Sequence, residues 1–371
     1  MNRPPIHRLY AWHASYFSGK VRCYLDYKQI PYREKTITLW DLLVPIKRHT
    51  GASVMPVVQT AEGQWLQDSS VIIDAFEARY PERPVVPSTP ELKLAAYLLE
   101  AWGDEWWIPV AMHSRWSYPE NYRTLFEPEI GGHLLPGWPR GLQNRAVGYV
   151  AGILRGMLPS VGVRPAQWAW IEAWTVDMLD LLETHFAEQA YLLGPVPTLA
   201  DFGLVGTFYG HLARDPWPAR EWMAARPHLS AWVARMAAPQ ARPVQGTLAD
   251  LPDQVPPTLA PVLACILREF VPMMEAVAEQ VRALHAHWPQ GRPLPRGLED
   301  VSVENRHGVF KRRALPFSLW MVQRVQDAVA HLPMGEQIQA RQALRDWGSD
   351  RLLDLHFPRL RQHNVRVAFA E

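Results

Sequence analysis

An acidic residue followed by a serine stands directly before a short amphipathic segment near residue 70. The carboxylate of Asp68 could answer a ligand ammonium group, and the Ser69 hydroxyl with the first N–H groups of a following helix could answer a carboxylate. The residues that predict this helix over 69–80 share one face and are Val71, Ile72, Ala75 and Phe76. The pair therefore suits a small ligand with both charges, and the alternative is that it only caps the helix.

A stripe of large side chains runs along a long helix predicted over residues 91–116, in which Pro109 could produce a kink. Its members, at steps of 4, 3, 4 and 3 residues, are Trp102, Trp106, Pro109, His113 and Trp116. The stripe could line a pocket for an apolar ligand, with His113 as a base or hydrogen-bond donor. The alternative is an ordinary core stripe in which His113 has a structural partner.

The composition argues against several classes of protein. The 371 residues carry 38 Lys plus Arg and 37 Asp plus Glu, a net charge of +1, which disfavours a nucleic-acid binder with a broad basic face. No uncharged apolar run could span a bilayer, and residues 1–17 hold no apolar stretch of a signal peptide. Cys23 and Cys265 form neither a zinc pattern nor a disulfide framework. We expect a cytoplasmic protein with no metal and no nucleic-acid or membrane partner.

The first eighty residues alternate between strand and helix patterns. Strands are predicted over 6–12 and 31–37, a hairpin over 54–59 and 64–67, and helices over 20–29, 40–47 and 69–80. Pro31 ends the first helix, and Glu62-Gly63 supplies the turn of the hairpin. The order β-α-β-(α)-β-β-α is that of a thioredoxin-like half.

Three stretches resemble a known family. The runs SYFSGKVRCYLDYKQIPY and VMPVVQTAEGQWLQDSSVIIDAFEARYP are similar to the N-terminal domain of soluble glutathione transferases, and YLLGPVPTLADFGLVG is similar to their helical domain. The resemblance covers about 240 residues with one insertion. It implies an α/β thioredoxin-like domain over 1–83 and an all-α domain over 91–244, with the insertion at about 117–163. Because many proteins carry this fold without transferase activity, it specifies the fold better than the catalysis.

The resemblance implies roles for three positions in the first domain. Ser15, six residues before Val21, matches the serine that hydrogen-bonds the glutathione sulfur in serine-type classes. A thiol has a pKa of about 8.5, and a hydroxyl donor beside a helix N-terminus would favour the thiolate. Met55-Pro56 matches the cis-proline position, where the backbone of the first residue pairs with the cysteinyl part of glutathione. Asp68-Ser69 matches the pair that receives the γ-glutamyl end.

Each role has a simpler alternative. Ser15 or Ser18 could only cap a helix that starts near Gly19, and Pro56 could be a trans proline that opens an edge strand. The chain also departs from the family where members often place Lys, Gln or His for the glycyl carboxylate. The local sequence there is Gly51–Val54, and the nearest cations are Lys47, Arg48 and His49.

By the same resemblance, an apolar co-substrate would approach from the side of the helix at 91–116. The candidate pocket residues are Trp12, Tyr16, Trp106, His113 and Trp116. In the helical domain, Thr198 and Asp201 form a capping box, which we interpret as folding chemistry.

Residues 245–371 lie beyond the family pattern and are predicted to form a mainly helical α+β extension of unknown role. The predicted elements are helices at 262–288, 315–332 and 335–347, a hairpin at 301–311 and a strand at 363–370. The cluster Lys311–Arg313 is interpreted as a solvated face rather than an anion site.

Three kinds of function fit these observations. The first is a glutathione S-transferase-like enzyme that activates the thiol of glutathione, as co-substrate, for attack on an apolar electrophile in conjugation, isomerisation or dehalogenation. The second is a non-catalytic binding or scaffold protein of the same fold, and a binder of a bulky aromatic ligand is a weaker third. A homodimer is expected from the resemblance. Binding of glutathione with its sulfur near Ser15 would distinguish the first function from the second.

Overall fold

The computed structural model describes residues 6–239 and 244–370. The first part of the chain forms β1 His7–Ala11, α1 Tyr16–Lys28, β2 Tyr32–Thr36, three consecutive helical pieces Leu39–Asp41, Leu42–Ile46 and Lys47–Thr50, β3 Val57–Gln59, β4 Trp65–Gln67 and α2 Ser69–Arg79. The middle part forms α3 Pro90–Trp106, α4 Ile108–Trp116, short pieces Pro119–Asn121 and Tyr122–Phe126, α5 Glu127–Leu134, α6 Arg140–Gly156, short pieces Leu158–Val161 and Pro165–Gln167, α7 Trp168–Glu188, α8 Leu199–Thr207, short pieces Phe208–Leu212, Pro216–Pro218 and Ala219–Met223, and α9 Pro227–Ala237.

The last part of the chain contains two short antiparallel hairpins among helices. It forms short pieces Leu248–Asp250, Pro257–Leu259, Ala260–Cys265 and Ile266–Phe270, then α10 Val271–His285, β5 Asp300–Asn305, β6 Gly308–Arg313, α11 Pro316–Ala330, α12 Met334–Trp347, Arg351–Asp354, β7 Leu360–His363 and β8 Arg366–Phe369. The predicted hairpin and helices of this extension are confirmed. The final strand, predicted over 363–370, corresponds to β8, which pairs with β7 in a hairpin that was not predicted.

The four strands of the N-terminal domain form one mixed sheet in the order β2-β1-β3-β4. Strand β1 pairs with β2 in parallel and with β3 antiparallel, and β3 pairs antiparallel with β4. The crossover through α1 joins the parallel pair, as parallel strands require. This is the predicted thioredoxin-like arrangement, followed by a helical domain and a helical extension with small sheets.

Two helix boundaries differ from the prediction. Helix α1 begins at Tyr16 rather than near residue 20, because the Ser15 side chain caps it from outside the predicted range. The long helix predicted over 91–116, for which the sequence allows a kink at Pro109, is divided at Trp107 into α3 and α4, two residues before that proline. A proline lacks the N–H that would continue the helical bonding, which accounts for the break.

The chain divides into two compact units that alternate along the sequence. The first contains Met1–Pro84, Ala111–Leu158 and Val205–Val244, and the second contains Val85–Val110, Pro159–Leu204 and Gln245–Glu371. The core of the first unit joins strand residues such as Tyr10 and Val57 to α5 and α6 of the insertion through Ile130 and Val147.

The second unit has an aromatic core. Rings of Trp102, Trp106, Trp107 and Trp174 meet edge to face at centroid distances of 5.2–6.4 Å. Arg312 is fully buried beside this core and donates to the Glu105 carbonyl at 2.7 Å, so the predicted solvated face is wrong for this residue. Burial lowers the pKa of Arg312 to about 10.

Among the described residues, no single helix is both long and apolar enough to cross a membrane. One bent pair of helical segments, Arg140–Val161 with Pro165–Glu188, meets that test by length and composition alone.

Candidate functional site

Three segments with predicted ligand contacts lie at one edge of the four-stranded sheet. The register pairs Tyr10 of β1 with Val57 of β3, and Val57 with Gln67 of β4. Because neighbouring antiparallel strands run in opposite directions, the end of β1, the start of β3 and the end of β4 meet at the same edge. The connections at that edge carry Ser15, Met55-Pro56 and Asp68-Ser69.

The peptide bond between Met55 and Pro56 is cis, as the resemblance implies. Pro56 is buried, and the ladder of β3 begins at Val57, so the peptide groups of Met55 lie outside the ladder. Their N–H and C=O groups can therefore pair with an extended peptide-like ligand along this edge.

Asp68 precedes α2 in a strained backbone conformation. Its φ of +80° typically costs a non-glycine residue about 1–3 kcal/mol. Its carboxylate accepts hydrogen bonds from the N–H groups of Ser70 at 2.9 Å and Val71 at 3.2 Å, so it does cap the helix. A carboxylate has about four acceptor positions, and the cap accounts for two hydrogen bonds. Ser69, 3% exposed, occupies the first turn of α2, where backbone N–H groups favour an anion.

A buried lysine lies beside the start of α2. Lys20 is fully buried on α1, and its Nζ donates a hydrogen bond to the Ser70 hydroxyl at 3.0 Å. It therefore adds a positive charge next to the segment predicted to receive the γ-glutamyl end. The sequence analysis missed this residue. Its spacing could have indicated it: Lys20 stands four and seven residues before Tyr24 and Tyr27, which places it on the same buried face of the helix.

Ser15 lies half-buried at the N-terminus of α1. Its Oγ accepts a hydrogen bond from the Ser18 N–H at 3.4 Å. A serine hydroxyl can accept one hydrogen bond and still donate its own proton. Capping of α1 and donation to a ligand atom are therefore compatible, and the N-terminus of α1 favours negative charge at the same place.

A buried arginine fixes the backbone directly before Ser15. Arg115 donates to both carboxylate oxygens of Asp215 at 2.9 Å, and to the carbonyl oxygens of Ala14 and Gly210. Burial raises the pKa of Asp215, against the pull of the Arg115 guanidinium. Arg115 finds this partner outside its own helix. The bidentate pair defines the geometry of the Ala14 peptide.

Two glycines allow the segment 206–210 to approach the Ser15 connection closely. A Cβ at Gly206 would lie 2.7 Å from the Tyr16 carbonyl oxygen, and a Cβ at Gly210 would lie 3.0 Å from the carbonyl carbon of Ser15. Both contacts are with backbone atoms, which cannot rotate away. A larger residue at either position would therefore displace the N-terminus of α1.

Four predicted pocket residues are buried in the first unit. The Trp12 indole N–H donates to the Ile37 carbonyl at 2.8 Å, and the His113 ring shares a 2.8 Å hydrogen bond with the Ser117 hydroxyl. The other two are Tyr16, whose ring contacts Phe17 and His211, and Trp116, whose ring contacts Tyr122 and Phe126.

Trp106, the fifth predicted pocket residue, belongs to the second unit. Its ring contacts Trp174, Phe270 and Phe310 at 6.1–6.3 Å between centroids. The stripe predicted along 91–116 is thus divided between the cores of two units.

The insertion packs beside the cis-proline segment. Met55 and Trp65 are half-buried against the core to which the insertion contributes Phe126, Ile130 and Val147. A ligand paired with the Met55 backbone would therefore have apolar side chains among its neighbours. His49 stacks on Trp65 with the ring centroids 4.5 Å apart, which holds the imidazole next to this segment.

Neither cysteine is poised as a nucleophile. Burial raises the pKa of the Cys23 thiol to about 12 and also raises that of Cys265, although Arg268 lies 3.0 Å from its Sγ. Cys265 lines a cavity of about 650 Å³ in the second unit, together with Trp174, Met178 and Asp177. No motif indicated this cavity. In the described parts of the chain, no three His, Cys, Asp or Glu side chains come together as metal ligands could.

Two family models match the chain. Residues 9–84 match the glutathione S-transferase N-terminal domain, and residues 175–235 match the glutathione S-transferase C-terminal domain. The two domains occur in the family's order, on the fold described above. These two regions of the chain therefore match the glutathione S-transferase family.

Several solved structures are similar to the chain at low identity. A glutathione S-transferase from Rhodospirillum rubrum F11 is 20% identical over 68% of this chain and 96% of its own, with a TM-score of 0.40. A glutathione S-transferase from Methylobacterium radiotolerans, in complex with glutathione sulfonate, is 21% identical over 66% and 94%, with a TM-score of 0.38. The β-etherase LigF from Sphingobium sp. strain SYK-6 is 18% identical over 64% and 96%, with a TM-score of 0.41. A search of curated proteins found no significant match.

Proposed function

We propose that this protein binds glutathione and activates its thiol for attack on an apolar electrophile. The observation that carries the proposal is the meeting of Ser15, Met55-Pro56 and Asp68-Ser69 at one edge of the sheet. Each segment offers a group that one part of glutathione requires. The family match supports the same ligand.

Binding would use the backbone of Met55 and the start of α2. The cysteinyl part of glutathione would pair with the Met55 peptide groups. Its γ-glutamyl ammonium would face the Asp68 carboxylate, and its carboxylate would face Ser69 and the N-terminus of α2, with the positive charge of Lys20 nearby. His49, held against Trp65, is our candidate partner for the glycyl carboxylate.

Activation would depend on Ser15. Its O–H would donate to the sulfur, which favours the thiolate over the thiol and lowers the pKa of the thiol. A fall of two pKa units corresponds to about 2.7 kcal/mol. Arg115 acts through the backbone, because it orients the Ala14 carbonyl and thereby the Ser15 peptide.

The electrophile would approach from the apolar side of the first unit, where we place Trp12, Tyr16, His113 and Trp116. Trp106 is left out of the proposed pocket, because its ring packs within the second unit. Conjugation, isomerisation and dehalogenation all begin with the same thiolate, so an electrophile screen is the means of choosing among them.

The binding half of the proposal is tested by titrating glutathione while following tryptophan fluorescence. We expect saturable binding by the wild type and a loss of at least tenfold in affinity in Asp68→Asn. Asparagine can still accept the capping hydrogen bonds, so this variant removes the charge and keeps the cap. Unfolding by urea checks that its stability is unchanged. Absence of binding by the wild type, or equal binding by Asp68→Asn, would overturn the proposed site.

A further inference from the structure

Helix α6 of the insertion exposes a row of large apolar side chains. Tyr149 is 73% exposed, Ile153 53% and Leu142 41%. Their spacing of seven and four residues places them on one stripe of the helix. Trp138 precedes the helix and Met157 follows it, and both are exposed. The opposite side of α6 packs into the core of the first unit through Val147 and Ala151.

Every charged residue of this helix is basic. The helix carries Arg140, Arg145 and Arg155, and no acidic residue occurs anywhere in residues 130–171. This is a local departure from a chain whose total charge is close to zero. The exposed face of α6 therefore combines aliphatic and aromatic side chains with the positive charge of Arg145, which stands three residues after Leu142 and four before Tyr149.

A second segment with exposed apolar side chains packs against the same core. In residues 39–50, Trp40 is 69% exposed and Leu43 is 55% exposed, whereas Leu42 and Ile46 pack into the core that also holds α6. The cations Lys47 and Arg48 follow, and the acidic Asp41 is buried in an ion pair with Lys35. Of the thirteen exposed large apolar side chains in the described chain, eight lie in residues 39–50 and 138–157.

We propose that α6 binds the surface of an anionic lipid bilayer, lying in the interface without crossing it. Amphipathic helices with basic residues and exposed Trp, Tyr and aliphatic side chains bind such surfaces through apolar burial and attraction to anionic headgroups. Tyr149 and Trp138 have the amphipathic rings that favour the headgroup level. The earlier expectation of no membrane partner rested on the lack of a spanning segment, which an interfacial helix does not need.

The positive charge of α6 favours a lipid surface over a second copy of the chain as its partner. Two copies of α6 face to face would bring arginines together with no acidic residue on either helix, which is unfavourable. An anionic bilayer supplies the missing negative charge. This inference is independent of glutathione binding, since it uses no residue of the proposed ligand site.

The test is co-sedimentation of the full-length protein with vesicles of phosphatidylcholine containing about 30% phosphatidylglycerol, compared with vesicles of phosphatidylcholine alone. We expect binding to the anionic vesicles that weakens as the salt concentration rises. Arg140→Gln with Arg145→Gln should weaken it about fivefold for each arginine removed. Tyr149→Ser with Ile153→Ser should weaken it at least tenfold. These side chains are exposed, so circular dichroism should show an unchanged fold.

Matched controls lie on other exposed elements. Met334→Ser with Ile338→Ser removes two equally exposed apolar side chains of α12, and Arg361→Gln removes an exposed charge of β7. Neither should change vesicle binding. Equal binding to both kinds of vesicle, or equal loss in the control variants, would overturn the proposal.

Gly152→Ala distinguishes a lipid surface from a helix of another copy. A Cβ at Gly152 meets nothing within 4 Å in the protein, so the fold tolerates it. We expect vesicle binding to persist, whereas close packing of two α6 helices would be disrupted. A concentration-dependent dimer that Gly152→Ala abolishes, with no vesicle binding by the wild type, would assign the face to self-association and contradict the proposal.

Discussion

At the residue scale, the two hydrogen-bonding capacities of Ser15 can be separated by substitution. Ser15→Ala removes the capping acceptor and the donor together, and we expect the free energy of unfolding to fall by about 1 kcal/mol. Ser15→Asp restores a cap, and its charge suits the N-terminus of α1. A carboxylate has no proton to donate and repels a thiolate.

Urea unfolding and glutathione titration on both variants check this account. Ser15→Asp should match the stability of the wild type and fail to form bound thiolate. If Ser15→Ala is as stable as the wild type, the hydrogen bond to the Ser18 N–H does not contribute to the cap.

A second prediction concerns the close approach at Gly210. Gly210→Ala places a methyl group 3.0 Å from the Ser15 backbone, so α1 must shift at its N-terminus. We expect kcat to fall by at least tenfold with a smaller change in the affinity for glutathione, because the Met55 and Asp68 contacts lie on other segments. Steady-state kinetics with an electrophile found in the screen provide the measurement.

Gly132→Ala is the matched control for this substitution. Gly132 also lies in a helix of the first unit, and a Cβ there meets nothing within 4 Å. It should leave kcat unchanged. Equal kinetics for Gly210→Ala and the wild type would show that the close approach has no influence on Ser15.

Residues that act through local patterns were predictable, and residues that act at a distance were not. Asp68-Ser69 was recognised from the helix pattern that follows it, and Met55-Pro56 from its match to the family's cis-proline position. Arg115 meets Asp215 one hundred residues away, and no spacing rule connects them. Arg312 was misread because a cluster of three basic residues in an alternating strand suggests solvent, whereas the strand turns this one side chain inward.

At the element scale, α6 shows why the insertion was difficult to predict. Gly148, Gly152 and Gly156 recur at every turn, and glycine is a poor helix former. The helix exists because Val147 and Ala151 pack against the first unit, a contact that the local sequence does not reveal. By contrast, α2 was predicted well, since its apolar face and the proline after it are local signals.

The glycines of α6 give a prediction about stability. A Cβ at Gly148 or Gly152 meets nothing within 4 Å, and both glycines have helical backbone conformations. Alanine at each position should raise the free energy of unfolding by about 0.5–1 kcal/mol, because the unfolded chain loses conformational freedom at no steric cost. Urea denaturation measures this change.

Gly206→Ala is the opposite control, since its Cβ would lie 2.7 Å from the Tyr16 carbonyl oxygen and it should destabilise the protein. Destabilisation by Gly148→Ala would mean that an unrecognised contact covers this face of α6.

At the scale of the whole molecule, buried histidines make the fold sensitive to acid. Burial lowers the pKa of His185 from its ordinary value of 6.5 to about 4, lowers that of His211 well below 6.5, and lowers that of His7. Between about pH 6.5 and pH 4, the unfolded chain therefore binds more protons than the folded chain. Stability is complete above pH 6.5 and is lost as the pH falls towards 4.

Urea unfolding between pH 7 and pH 4.5 tests this sensitivity. Across this range His185 alone should contribute about 2 kcal/mol to the loss in the free energy of unfolding. In His185→Gln, an amide can accept from Thr258 and donate to the Tyr191 carbonyl in place of the imidazole, so this loss should decrease. The exposed His287→Gln should leave it unchanged. A loss that His185→Gln does not alter would assign the acid sensitivity to other groups.

The division into two compact units could not be derived from the order of the sequence patterns. Each unit collects three separate stretches of the chain, whereas composition and periodicity describe only adjacent residues. The extension beyond residue 245 illustrates the same limit. Its hairpins and helices were predicted individually, but its aromatic core depends on Trp102, Trp106 and Trp174 from earlier in the chain. The homodimer implied by the family remains a prediction.

The edge of the sheet that carries Ser15 is proposed to bind glutathione and to lower the pKa of its thiol. The most direct measurement is an ultraviolet titration of thiolate formation against pH, with glutathione bound to the wild type, to Ser15→Ala and to the control Ser18→Ala. We predict a thiol pKa about two units below its free value of about 8.5 in the wild type and in Ser18→Ala. In Ser15→Ala the thiol pKa should return towards that free value while glutathione still binds. An unshifted thiol pKa in the wild type, or the same shift in Ser15→Ala, would contradict the account.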